Sequence, residues 1–486
     1  MSITLAKVFQ SGMLLQREKP AAIWGSANPG AEITVAIQGH SAQTRADARG
    51  EWSMLLPPLA ASKGETLRVS GADDEIVLDD VAVGEVFIAG GQSNMEFCMR
   101  DEKYRSEALP GCENANIRFY SVPKLAYEGQ ENDFDYHNVG FWRKATPRDL
   151  DIFSAVGYYF ARLLCRDLDI PVGIFGCNWG GTRTSAWMTE EHAHALQPEH
   201  CAAFAAALNG RSMAEFIEAC RSDITNATGY ADWDDPIDYS ALPPWEDRTN
   251  PQNAPGSLYR RMVLRIAPYT ARGALWYQGE SDDDFEQSRH KTALEAVMSD
   301  WRAAWRDPAL PFLVVQLPGF DSQIDASSRD YPTIRQCQQE AVDGDAHAHL
   351  CSISDVGEEH DIHPKDKRTV GERLALLAEK HIFGRDILAD APRFASAKRD
   401  GQCITVTFDH AGAGLRVADA PLRALDITAN GRALPHTCEV SGNQLRIMLS
   451  EDVESPILLR FARTNWYCVN LYNEAGIPAI PFECIV

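Results

Sequence analysis

Long apolar runs are missing from this chain. No stretch of about 18 or more apolar residues occurs, so no transmembrane helix is expected. The opening segment, Met1-Ser2-Ile3-Thr4-Leu5-Ala6-Lys7-Val8, has no basic region followed by an apolar core, so no signal peptide is expected either. Positive charge is scarce: 46 Lys and Arg stand against 69 Asp and Glu, a formal net charge of -23. Such a surface repels polyanions, which disfavours nucleic acid and anionic membranes as partners. The 12 cysteines form no CxxC pair, and no Cys/His grouping has zinc spacing. They read as reduced, buried, small apolar fillers, and with the absent leader they point to a cytoplasmic setting. Internal repeats and low-complexity tracts are absent as well.

What is present is ordinary globular composition, 45% hydrophobic and 24% charged, over 486 residues. That length is too great for one core and predicts about two to four domains. Residues 1–82 read as a small β-sandwich: Ile33-Thr34-Val35-Ala36-Ile37 alternates, and Asn28-Pro29-Gly30 and Pro57-Pro58 punctuate as turns. From 83 to 385 short apolar runs alternate with helical patterns. Phe153, Val156, Tyr159, Phe160, Leu163 and Leu164 fall on one helical face, and Pro171–Gly176 and Leu313–Leu317 read as strands. The alternation predicts an α/β domain with a doubly wound, mainly parallel sheet and helices on both faces. Residues from about 192 to 256 interrupt it as an insertion, Ala-rich at first and then Asp/Pro/Trp-rich at 231–236. Residues 386–486 return to β patterning, with Asn430-Gly431 as a hairpin signal.

Four segments of the central region suit one chemistry. Ser93, in Gly90-Gly91-Gln92-Ser93-Asn94-Met95, follows the apolar run 83–89 at a strand-to-helix turn, where a hydroxyl can face a cleft. A helix cap is the competing reading of the same serine. Asn178-Trp179-Gly180-Gly181-Thr182 follows the next strand, and its glycines can offer backbone N–H groups to a developing oxyanion. Gln278, in Trp276-Tyr277-Gln278-Gly279-Glu280-Ser281, supplies an uncharged amide donor after a third strand. His363, in His360-Asp361-Ile362-His363-Pro364, is a candidate base. Each segment alone has a plain structural reading. Together, nucleophile, donors and base follow predicted strands whose ends converge in a doubly wound sheet.

These blocks resemble the SGNH-type esterases, and more narrowly the sialate O-acetylesterase-like carbohydrate acetylesterases. The resemblance extends to Gly12–Arg17, Trp24–Ala27, Phe153–Phe160 and Asn470–Asn473, and so covers nearly the whole chain outside the insertion. It implies an SGNH-type catalytic domain flanked by N- and C-terminal β domains, and a hydrolase that removes acetyl groups from sugar hydroxyls without metal or organic cofactor. Carried over by position, it makes Ser93 the nucleophile and His363 the general base. Asp361 would be the carboxylate partner, and the Ser93 and Gly181 N–H groups with the Gln278 side chain the oxyanion hole. This chain departs from the pattern in two places. The position three before the histidine, where many relatives place the acid, is His360, which leaves Asp355 and Glu358 as alternatives to Asp361. Arg260 stands where relatives have asparagine after Tyr259.

The expected partner is an acetylated sugar or oligosaccharide. Trp179 and Trp276 are candidate platforms for sugar rings, against core packing as the simpler account. Arg183 and Arg260 are candidates to clamp a sialate carboxylate, against surface ion pairing with the many acids. Glu280, a carboxylate beside the expected oxyanion hole, is expected to turn away and organise the Gln278 loop. Acetylxylan esterase and sugar O-acetyltransferase are the alternative activities. A non-catalytic carbohydrate-binding protein would place no constraint on Ser93, and a glycosidase needs a pair of carboxylates that the sequence does not offer.

Overall fold

Alternating apolar residues near the N-terminus form strands with one buried face. In β1, Glu32–Ile37, residues Ile33, Val35 and Ile37 point inward, and Glu51–Leu56 buries Trp52, Met54 and Leu56 in the same way. These observations come from a computed structural model that describes residues 3–71, 74–130, 139–220, 251–282, 287–321 and 330–486. The chain has a mixed α/β fold with several sheets. It divides into two compact units, Met1–Trp276 with Thr292–Phe312, and Tyr277–Lys291 with Leu313–Val486.

In the first unit, β2 (Ser62–Ser70) runs antiparallel to β1 and to the first half of β3 (Glu75–Gly91). β3 is a single 17-residue strand. Its first six residues are at most half-buried, and from Val81 onward every residue is buried. Its second half pairs in parallel with β6, so one strand belongs to the N-terminal β layer and to the central sheet. The helix α1 (Ser93–Glu96) follows it directly. Then come β4 (Asn114–Ser121), β5 (Trp142–Ala145), α2 (Ala155–Leu168), β6 (Val172–Asn178), α3 (Pro198–Leu208) and β7 (Gly273–Tyr277). Their order is β5-β4-β6-β3-β7, with β4, β6 and β3 parallel and β5 antiparallel at the edge. The Ala-rich start of the insertion is helical, as α3 shows, while its 231–236 stretch lies outside the described residues.

Two buried polar clusters tie the β layer to the central strands. Arg118 on β4 is 1% exposed and donates to the carbonyls of Gly12 (2.9 Å), Met13 (3.1 Å), Lys63 (3.1 Å) and Asp80. Glu85 on β3 is fully buried and accepts from Arg17 Nε (2.6 Å), Arg272 Nε (2.6 Å) and Gln16 Nε2 (2.8 Å). Buried charges this well satisfied fix a unique arrangement, because losing one partner leaves a desolvated charge behind.

In the second unit, β8 (Phe312–Val315) and β9 (Ala348–Cys351) are neighbours, with α5 (Tyr331–Asp343) after β8 and α6 (Lys367–His381) after β9; α4 (His290–Trp305), which precedes them in the chain, belongs from Thr292 onward to the first unit. The residues beyond 392 form two four-stranded sheets and a two-stranded one, Arg416–Val417 with Leu471–Tyr472. Ile404, Val406, Leu445 and Ile447 of one share a core with Leu459, Phe461 and Phe482 of the other. Arg335 of α5 is fully buried, donates to the carbonyls of Pro318 (3.1 Å) and Thr464, and stacks 4.6 Å from the Tyr467 ring. Among the described residues no helix is long and apolar enough to cross a membrane.

Candidate active site

The two glycines that end β3 are required for different reasons, one steric and one conformational. A Cβ on Gly90 would lie 2.5 Å from Trp301 Cη2, and Gly91 has φ +128°, a conformation that favours glycine. The chain turns there into α1. Gln92 occupies the cap position and makes no side-chain cap bond, so Ser93 is the first residue inside the helix and not its cap. Ser93 is half-buried, and its neighbours Gln92 and Asn94 are buried. The helix is held from behind by Ser154, whose hydroxyl donates to Met95 O at 2.6 Å while it caps α2 by accepting from Gly157 N at 3.0 Å.

The glycine loop after β6 lies against this turn. Trp179 N donates to Gly91 O at 3.1 Å, and a Cβ on Gly180 would sit 3.2 Å from Ser93 Cβ. Gly180 N donates to Glu96 Oε2 at 2.7 Å, and the other oxygen of that carboxylate is paired with Lys124. Gly181 has φ +68°, and its carbonyl accepts from Asn253 Nδ2 at 3.0 Å. Asn253 Oδ1 in turn accepts from Arg183 N at 2.9 Å. The first unit thus brings Ser93, Gly180 and Gly181 together.

The aromatic and cationic candidates separate. Trp276 is fully buried and packs edge-on against Trp301 (5.5 Å) and Trp187 (6.2 Å), so the expectation of a sugar platform is corrected to core packing: no ring face is left for a ligand. Trp179 is 5% exposed with Lys124 Nζ 5.6 Å from its ring. Arg260 is exposed and ion-paired with Glu190, the surface pairing that competed with a substrate role. It also lines a cavity of about 490 Å³ walled by Phe204, Leu208, Met213 and Pro255. Arg183 is half-buried beside Gly181.

In the second unit Gln278 is fully buried. Its Nε2 donates to Asp282 Oδ2 at 3.2 Å, and its carbonyl accepts from Gln338 Nε2 at 3.0 Å. Gly279 has φ +144° and packs on Leu317, Ile334 and Gln338. Asp282 is itself buried with His290 Nδ1 3.3 Å away. Glu280 is buried, and so is Lys367, the first residue of α6, whose Nζ lies 5.5 Å from the Tyr277 ring. Burial pushes the Lys367 ammonium down to about 7, against the opposing pull of Glu280.

His363 and Asp361 share one short loop ahead of α6. Asp361 Oδ1 accepts from His363 N at 2.9 Å, while the ring Nδ1 stands 4.0 Å from the same oxygen. Lys365 Nζ is 3.1 Å from Asp361 Oδ2. Burial works to raise the Asp361 carboxyl, but the His363 N–H and Lys365 outweigh it and hold it below the ordinary carboxylate value. The two alternative acids have other partners: Asp355 forms a two-pronged pair with Arg373 (2.6 and 2.8 Å), and Glu358 Oε1 accepts from Lys365 N at 2.9 Å.

Sequence reasoning missed Glu96, Lys124, Asn253 and Asp282. Glu96 and Asp282 carried a signal, because each directly follows the short block of the candidate it supports. Lys124 and Asn253 carried none.

Three likenesses agree. Residues 240–378, the stretch with Gln278, Asp361 and His363, match the family described as carbohydrate esterase, sialic acid-specific acetylesterase. The sialate O-acetylesterases of mouse and human are 23% and 24% identical to the chain, covering 98% and 99% of it and 93% and 92% of their own length. The crystal structure of a carbohydrate acetylesterase from Xanthomonas citri superposes with a TM-score of 0.79 at 30% identity, over 99% of both chains. The chain therefore belongs to the sialate O-acetylesterase-like carbohydrate acetylesterases, and it is a carboxylic ester hydrolase.

Proposed function

We propose that the chain is a serine esterase that hydrolyses O-acetyl groups on carbohydrate, sialic acid foremost, through an acetyl-serine intermediate. The observation that carries this reading is the end-to-end similarity, over 99% of both chains, to a carbohydrate acetylesterase. The family description and the curated sialate O-acetylesterases favour sialate as the sugar.

In this reading His363 takes the Ser93 proton as the hydroxyl oxygen attacks the acetyl carbonyl. The tetrahedral oxyanion is held by the N–H groups of Ser93 and Gly181 and by the Gln278 amide. The sugar alcohol leaves with the proton from His363. Water, deprotonated by the same histidine, then releases acetate and restores the serine. Asp361 is the carboxylate that orients His363. Its low pKa keeps it ionised when the imidazolium forms, and a hydrogen bond at the 4.0 Å position requires only the shortening seen when such sites bind substrate. The Gln278–Asp282 bond sets which end of the amide carries the donors.

The test is acetate release from O-acetylated sialic acids, acetylated xylan oligomers and 4-nitrophenyl acetate, by wild type and Ser93→Ala. The substitution is expected to lower turnover of every substrate by roughly 1,000-fold or more. Equal aryl-acetate turnover by the two proteins would overturn the nucleophile, and a clear preference for xylan oligomers would overturn the sialate assignment.

A further inference from the structure

We infer that Glu96, neutralised by Lys124, is a positioning residue that aligns the oxyanion-binding peptide with the nucleophile. This rests on the reading of Ser93 as nucleophile and of the Gly181 N–H as an oxyanion donor.

The peptide that carries the Gly181 N–H lies between two peptides that are each anchored. The preceding one is held by its N–H, which Gly180 gives to Glu96 Oε2 at 2.7 Å. The following one is held by its carbonyl, which Gly181 gives to Asn253 Nδ2 at 3.0 Å. Glycine backbone is otherwise the most permissive in the chain, and at φ +68° Gly181 adopts a conformation that glycine alone takes without strain. The anchors replace the rigidity that the missing side chains would have supplied.

Glu96 is also bound to Ser93 by the helix. The two residues are the ends of α1, three positions apart, and so lie on one face of a single turn. The Phe97 N–H closes this turn on Ser93 O at 2.8 Å. One carboxylate therefore holds the donor loop to the turn that carries the attacking oxygen, and a shift of one moves the other. The contact of Gly180 with Ser93 makes the fit close, with only 3.2 Å between Ser93 Cβ and the place where a Gly180 Cβ would lie.

A bare carboxylate so near a forming oxyanion would raise the energy of the tetrahedral state. Lys124 removes that cost. Its side chain is 8% exposed, its ammonium meets Glu96 Oε1, and it lies against the Trp179 ring at 5.6 Å. The pair presents no net charge to the site. The sequence separation, 28 residues between Glu96 and Lys124 and 84 between Glu96 and Gly180, makes this a contact of the folded chain alone.

The test uses the full chain with Glu96→Ala, Glu96→Asp and Glu96→Gln, assayed with 4-nitrophenyl acetate and with a fluorophosphonate that traps a tetrahedral adduct on an activated serine. Ala removes the acceptor and Asp withdraws it by one methylene. Both are expected to lower kcat roughly 10- to 100-fold with KM within about twofold, and to slow phosphonylation in proportion. Gln keeps an oxygen within reach of the Gly180 N–H and is expected to recover most of kcat. Full kcat in Glu96→Asp, or equal loss in Glu96→Asp and Glu96→Gln, would overturn the inference. Should Glu96→Ala not fold, the Asp and Gln pair decides alone. Peptide mapping of the wild-type adduct separates the nucleophile reading of Ser93 from the positioning role of Glu96. A wild type unlabelled at Ser93 defeats the nucleophile reading, and so the inference resting on it. A wild type labelled at Ser93, with Glu96→Asp labelled equally fast, defeats the positioning role alone.

Discussion

At the scale of single residues, burial decides what each candidate can do. Trp276 and Arg260 both stood beside site motifs in the sequence, but one is sealed in the core and the other is neutralised on the surface by Glu190. Lys367 is the reverse case, a residue with no motif and a strongly altered chemistry. Burial is the main cause of its low pKa of about 7, with Glu280, Asp361 and Glu358 opposing the shift and Lys365 adding to it. An unfolded lysine titrates near 10.4. Between those values the unfolded chain holds a proton that the folded chain has released, so stability rises with pH across the window, and the penalty is complete below its lower end. Lys367→Met lacks this titration. The thermal midpoint of wild type relative to Lys367→Met should therefore climb steadily from pH 7 to pH 9. A difference that stays flat over that range would mean the ammonium keeps an ordinary pKa.

At the scale of elements, close approach of backbones governs the central strands. Gly84 on β3 faces the start of β6, where an added Cβ would lie 1.9 Å from Pro171 O. That oxygen already accepts from Glu85 N at 2.9 Å, so it cannot move without opening the ladder. Gly84→Ala should cost roughly 2–4 kcal/mol and lower the thermal midpoint by several degrees. A midpoint within about one degree of wild type would show that the strands yield more readily than this geometry allows. The same strand shows where sequence reading succeeds and where it stops. The apolar run at 83–89, the turn at Gly90-Gly91 and the helix at Ser93 were all legible, because full burial and glycine turns leave marks in composition. The continuity of β3 was not. Its first half has one partly buried face and its second half is wholly buried, so one strand reads as two, with a seam at 82. Side-chain partners such as Lys124 and Asn253 were invisible for a different reason: they come from distant segments and have no fixed spacing to betray them. The Asn470–Asn473 match proved structural in part, since Asn470 Nδ2 donates to the carbonyls of Ala418 (2.7 Å) and Pro421 (3.0 Å) and Asn473 Nδ2 to Asp390 O (3.0 Å).

At the scale of the whole chain, the β regions are joined to their neighbours by buried arginines. Arg118 in the first unit and Arg335 in the second each spend their guanidinium on main-chain carbonyls from segments far away in sequence. Carbonyls held this way set the path of the chain itself, and only the planar, multi-pronged donor of arginine can hold several at once. A lysine could not substitute.

The unbroken course of β3 bears on how such a protein can be divided or recombined. A chain that begins at residue 83 would lose half of a hydrogen-bonded ladder, together with four of the carbonyls that quench Arg118, and should be recovered as aggregate. A soluble fragment that melts cooperatively and still hydrolyses 4-nitrophenyl acetate would contradict this. Crossing over between two homologues at that seam would splice mismatched halves of one ribbon, whereas a crossover in the loops on either side exchanges whole strands. The N-terminal β layer is thus cut from the same cloth as the central sheet, and not sewn on as a detachable module.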